Sequence, residues 1–255
     1  MSAVCRADVE ALLRTRKLDR TLVPFGSPGA GTPPAPLTMA TGVAELDRQL
    51  GGGFPLGQFS EIVGPRSSGR TSLLMQTLAA AVGRGELVAL VDTFDMFDPE
   101  SAAAAGIVLS QMLWVRGEAC TPASPLVASR QSRAEHVLSR SLKALNLILQ
   151  AGGFGMVVLD LTEAPAAALR RVPMTTWLRF QRVLEGQEAV GLILGAAPLS
   201  RSAGGVTVSL APGAGRAARG FEGRVFRGFE SDVRTARARL VPGLTDARTR
   251  LRISA

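Results

Sequence analysis

The chain has 255 residues, 46% of them hydrophobic and 20% charged, enough for one large domain or a domain with extensions and far from the composition of a disordered protein. Its formal charge of +8 favours a polyanionic partner without fixing a fold. No run approaches the roughly 18 to 20 apolar residues of a spanning helix, and Asp8 and Glu10 interrupt any secretory leader. Two cysteines, Cys5 and Cys120, and a lone His136 are too few for a disulfide framework, a zinc cluster or imidazole chemistry. A cytoplasmic protein without membrane contact is expected.

Residues Ala7 to Arg16 place Val9, Leu12 and Leu13 on one helical face, and a Pro/Gly-rich stretch follows from Pro24 to Pro36. That predicts a helical segment over 1–23 and a linker over 24–38. Next come apolar segments that read as buried strands: Phe59 to Val63, Leu87 to Asp92, Met112 to Val115, Met156 to Leu161 and Val190 to Gly195. Helical patterns separate several of them. Ser72 to Val82 aligns Leu74, Leu78, Ala81 and Val82, and Ser132 to Gln150 aligns Leu138, Leu142, Leu145 and Leu149, with Ser132 and Glu135 as a capping-box pair and His136 on the exposed side. The alternation over 39–200 argues for an α/β core with a largely parallel sheet. Beyond Ser200 the pattern changes to short β-like pieces, Val206 to Leu210 and Arg250 to Ser254, among Gly and Arg. From Arg216 onward ten arginines face four acidic residues, so residues 216–255 carry +6 of the net charge.

The sharpest motif is Gly64 to Thr71, GPRSSGRT, between the strand FSEIV and the helix SLLMQTLAAA. Glycines let main-chain N–H groups wrap an anion, a helix N-terminus adds its dipole, and a Ser or Thr hydroxyl serves a magnesium ion. Gly64, Pro65, Arg66, Ser67, Ser68, Gly69, Arg70 and Thr71 are therefore candidate nucleotide-binding residues. Arg70 stands where the motif has lysine, and a planar fork does not replace a compact ammonium conservatively. Downstream, MVVLD ends at Asp160, where such folds place the carboxylate of the magnesium site. Thr71 and Asp160 would hold magnesium if ATP binds; the residues leave that open.

The stretch TGVAELDRQLGGGFPLGQFSEIVGPRSSGRTSLLMQTLAAA resembles the RecA and archaeal recombinase family in its TG-x-x-x-LD-x-x-LGGG start, its G-x-x-x-EI-x-GP strand and its SSG-[KR]-T loop. The resemblance continues through VALVDTFDMFDPESAAAAGI, VVLDL and VGLILGAAP. It implies a RecA-type core with a central, mostly parallel sheet flanked by helices, a short N-terminal helix and a basic C-terminal extension. In active members a glutamate that polarises the attacking water occupies the position of Phe94, and a glutamine that senses the γ-phosphate falls at Ala196 or Ala197. Neither residue type here does that work, and loss of a general base alone typically lowers the rate ~10²- to 10⁴-fold. Asp95 is the neighbouring carboxylate.

With its short N-terminal helix, altered site and basic tail, the chain is similar to the ImuA subfamily. That family acts with the polymerase homologue ImuB and an error-prone polymerase in damage-induced (SOS) translesion synthesis and mutagenesis. The similarity implies a catalytically degenerate accessory protein near the nucleoid, with an ImuB-like subunit, RecA and the error-prone polymerase complex as partners. Recombinase loops that hold single-stranded DNA map to Arg201–Gly220, making Arg201, Arg216, Arg219, Arg224 and Arg227 candidate DNA contacts; a solvated basic loop is the other reading. Val9, Leu12 and Leu13 pack either on a partner or back on the core. Two further alternatives are an active DNA-dependent ATPase of recombinase type and a SulA-like division inhibitor that sequesters a partner.

Overall fold

A computed structural model describes residues 37–118, 130–199, 205–211, 229–237 and 247–253. The strands are β1 (Thr38–Met39), β2 (Phe54–Pro55), β3 (Gln58–Val63), β4 (Val88–Asp92), β5 (Met112–Arg116), β6 (Met156–Asp160), β7 (Val190–Gly195), β8 (Val206–Ala211), β9 (Phe229–Arg237) and β10 (Ala247–Ile253). The α-helices are α1 (Ala44–Leu50), α2 (Arg70–Gly83), α3 (Pro99–Ala104), α4 (Arg130–Ala151), α5 (Ala166–Arg170) and α6 (Met174–Leu184). None is long and apolar enough to cross a membrane.

β1 and β2 form a small antiparallel ribbon, while eight strands form the main sheet in the order β10-β9-β8-β3-β7-β6-β4-β5. From β8 to β5 the pairings are parallel; β9 and β10 add an antiparallel extension. Parallel strands covered on both sides need apolar residues at successive positions, as the runs VALVD, MVVLD and VGLILG supply. Alternate side chains divide between two cores. Val88, Leu90, Met156, Val158, Leu192 and Leu194 join Leu46, Leu50, Leu73, Leu74 and Leu78 of α1 and α2. Ala89, Val91, Val157, Leu159 and Ile193 meet Leu145 and Leu149 of α4 and Trp177, Phe180 and Leu184 of α6. Helices thus cover both faces, as the strand-helix alternation predicts.

The TG-x-x-x-LD start is a local brace: Thr41 N–H donates to Asp47 Oδ1 at 2.7 Å, and Val43 N–H to Thr41 Oγ1 at 3.1 Å. On α6, Gln181 accepts from Phe59 N–H and donates to the Gly57 carbonyl, fixing the start of β3.

One expectation needs correction and another a limit. Ser132 does not cap α4, because the helix already includes Arg130, and Glu135 instead accepts from Arg171. Within 201–220, the β-like reading of Val206 to Leu210 holds, and the loop reading of the stretch does not extend over it. Its V-T-V-S-L alternation buries Val206, Val208 and Leu210, and β8 pairs in parallel with β3.

Candidate functional site

In a parallel sheet every strand delivers its last residue to the same edge, and ligand crevices form there. Asp92 is paired in register with Asp160, Asp160 with Leu194, and Val63 with both Gly195 and Ser209. The sequence motifs at the ends of β3, β4, β6 and β7 therefore converge.

Residues 64–69 link β3 to α2. Gly64 is required by close approach: a Cβ there would stand 2.6 Å from the Leu210 carbonyl oxygen of β8. Ser67 (φ 61°) and Gly69 (φ 92°) take left-handed conformations that turn the chain back on itself. No side chain caps α2, so its first-turn amides are directed at the loop with the positive end of the helix dipole. Pro65, Arg66, Ser67 and Thr71 are exposed, whereas Ser68 and Arg70 are buried. Arg66 reaches Glu163, beyond β6, at 3.5 Å. The Arg70 guanidinium is only 7% exposed and donates through Nη1 to the Gly64 carbonyl, bridging the loop from its last residues to its first.

Asp160 accepts from Thr162 N–H at 2.8 Å. Burial pushes its carboxyl up to about 6, against the pull of the Thr162 hydrogen bonds; neighbouring Asp92 raises it further, and Arg70 lowers it. The loop arginine and both strand-end carboxylates thus share one electrostatic neighbourhood.

The turn after β4 is closed by its own contacts. Asp92 is 1% exposed, and its carboxylate accepts from Met96 N–H and Phe97 N–H at 2.9 Å each and from Trp114 Nε1 at 3.2 Å. Phe94 is buried. Asp95 accepts from Arg116 Nε and Nη2 at 2.8 Å each, which holds its carboxyl below the usual range. The Arg116 guanidinium also lies 4.6 Å from the centre of the Trp114 ring, which packs 5.2 Å from Phe97. Past β7, the Gly195 carbonyl accepts Gly64 N–H at 3.2 Å, and Ala196 and Ala197 are exposed.

Oriented amides and a buried guanidinium suit this edge to an anion. On the turn after β4 the carboxylates are already engaged: Asp92 takes three N–H donors and Asp95 an arginine. Among the described residues no group of three or more His, Cys, Asp or Glu side chains is placed to hold a metal. Val9, Leu12, Leu13, Cys5, Cys120, Arg201, Arg216, Arg219, Arg224 and Arg227 lie outside the described residues.

Sequence reasoning missed Glu61. It is 1% exposed on β3 and accepts from Leu199 N–H at 2.8 Å and Thr207 Oγ1 at 3.0 Å, tying both ends of the β7–β8 connection to the strand before the loop. The available signal was a carboxylate inside the apolar run FSEIV, since a buried charge needs dedicated partners.

Residues 34–129 match the RecA N-terminal domain family. Protein RecA of Synechococcus sp. (strain CC9902) is 42% identical over 76 residues, which is 30% of this chain and 20% of that protein. Protein RecA of Crocosphaera subtropica (strain ATCC 51142 / BH68) is 41% identical over 76 residues, 30% of this chain and 22% of that protein. The chain thus spans about a fifth of the length of the curated relatives it matches. In the crystal structure of the RadB recombinase, the fold aligns with a TM-score of 0.51 at 20% identity, over 85% of this chain and 96% of that one.

Proposed function

We propose that this chain, whose residues 34–129 match the RecA N-terminal domain family and whose fold aligns with the RadB recombinase, is a catalytically degenerate, ImuA-like accessory protein of damage-induced translesion synthesis. It works by binding: an ImuB-type polymerase subunit, RecA and single-stranded DNA are its partners, and the RecA-type core is the scaffold. The carrying observation is the turn after β4. Phe94 is buried where active relatives place the water-polarising glutamate, and Asp95 beside it is committed to Arg116. Without a general base the chemical step loses ~10²- to 10⁴-fold.

The loop backbone itself fits a phosphate group, with Thr71 and Asp160 as the residues that would hold magnesium beside it. Arg70 fits less well. Its fork is spent on the Gly64 carbonyl, whereas a lysine ammonium is a compact, rotatable donor. This arrangement supports binding of ATP with turnover slowed by the missing base.

ATP hydrolysis by the purified protein, with and without single-stranded DNA, tests the reading beside a Phe94→Glu/Arg70→Lys variant. Turnover by the wild type stays at background. Turnover clearly above background that DNA stimulates would overturn the scaffold reading and establish the recombinase-type ATPase instead.

A further inference from the structure

A groove of about 730 Å³ runs between α4 and the α5–α6 segment. Its lining combines Leu142, Leu147 and Val172 with Lys143 and Arg179. Leu147 of this lining is 66% exposed, which leaves hydrophobic surface uncovered. The charges are one-sided. Arg171 is paired with Glu135, the one acidic residue of the lining, which leaves Lys143 and Arg179 with no carboxylate in salt-bridge range among the described residues. On the same wall, the buried Asn146 side-chain oxygen has no hydrogen-bond donor among the described residues.

We infer that this groove docks an acidic amphipathic segment of another protein. Apolar side chains at helical spacing would cover Leu147 and fill the floor, flanking Asp or Glu would meet Lys143 and Arg179, and a donor of the segment would serve Asn146 once its amide turns outward. Single-stranded nucleic acid fits less well, because the lining offers no aromatic ring on which a base could stack. The inference goes beyond the proposed function and does not rest on it: the groove would serve an ATPase as well as a scaffold.

The test selects a displayed library of short random peptides on the full-length protein and, in parallel, on a Lys143→Glu/Arg179→Glu variant, after equal thermal midpoints show that both are folded. The wild type should enrich peptides with apolar residues at helical spacing and flanking acids. Those peptides should bind the variant about tenfold more weakly, and exchanging their acids for lysine should restore binding to it. Leu147→Ser, a charge-neutral change at an exposed position, should weaken the same peptides. Enrichment without acidic preference, or equal affinity for both proteins, overturns the inference. So does a charge reversal that abolishes binding of a single-stranded oligonucleotide while leaving peptide binding intact, which would give the face to nucleic acid.

Discussion

The 64–69 loop and the turn after β4 stand at the same edge of the sheet, yet they keep different things. The loop keeps a shape: Gly64 pressed against β8, left-handed Ser67 and Gly69, and the uncapped start of α2. The turn keeps only its place, and its side chains are spent on one another through Asp92, Trp114, Asp95 and Arg116. Anion attraction depends mainly on main-chain geometry, which tolerates side-chain change, whereas proton transfer depends on one free carboxylate. On the proposed reading, a RecA-type edge keeps the first capacity without the second.

The largest expected effect comes from removing the acceptor that closes the turn. Asp92→Ala strands two main-chain N–H groups and the Trp114 indole, partly shielded from water, and should lower stability by about 2–4 kcal/mol in urea unfolding. Arg66→Ala, in the exposed part of the loop, should leave the midpoint unchanged, because its contact with Glu163 is a surface pair at 3.5 Å. If the two variants behaved alike, the contrast between a self-closed turn and an open loop would fail.

Asp160 gives an intermediate effect with a defined pH dependence. Its folded carboxyl titrates at about 6, against an ordinary value of 3.8, so the folded state holds the proton more tightly than the unfolded chain does. The resulting stability is fully present below about pH 3.8 and is lost as pH rises through about 6. Asp160→Asn resembles the protonated form and can still accept from Thr162. It should stabilise the protein by at most about 3 kcal/mol at pH 8 and by little near pH 4, compared by urea unfolding at each pH. An equal gain at both values would remove burial as the origin of the shift.

The core was legible because its signals are periodic: runs such as VALVD and MVVLD announce strands buried on both sides, and Leu74, Leu78, Ala81 and Val82 announce the inward face of α2. The loop was legible because its geometry needs glycine at Gly64 and Gly69. Partnerships across long separations were not. Nothing local in the sequence says that Arg116 will pair with Asp95, that Trp114 will donate to Asp92, or that Glu61 will hold Leu199 and Thr207. These are set when the sheet brings distant strand ends level. The Ser132 capping box shows the reverse failure, a local pattern overridden because the helix includes residues before it. The β-like reading of Val206 to Leu210 held at β8, and it limits the loop reading of 201–220, which does not extend over the alternation of Val206, Val208 and Leu210.

The smallest effect is also the most selective probe of the closed turn. Arg116→Met removes the charge that holds the Asp95 carboxyl low, while a thioether can still lie against Trp114. Asp95 should then titrate closer to its ordinary value, as followed by carboxyl chemical shifts over an acid titration. Stability should change less than in Asp160→Asn, because the pair is at the surface and a solvated ion pair contributes little. Asp160 should keep its titration, since its shift arises from burial, Asp92, Arg70 and Thr162 rather than from Arg116. If Asp95 titrated unchanged, Arg116 would not be what occupies that carboxylate. Closure of the turn would then rest on the Asp92 hydrogen bonds, and the proposal that the turn lacks a general base would rest on Phe94 alone.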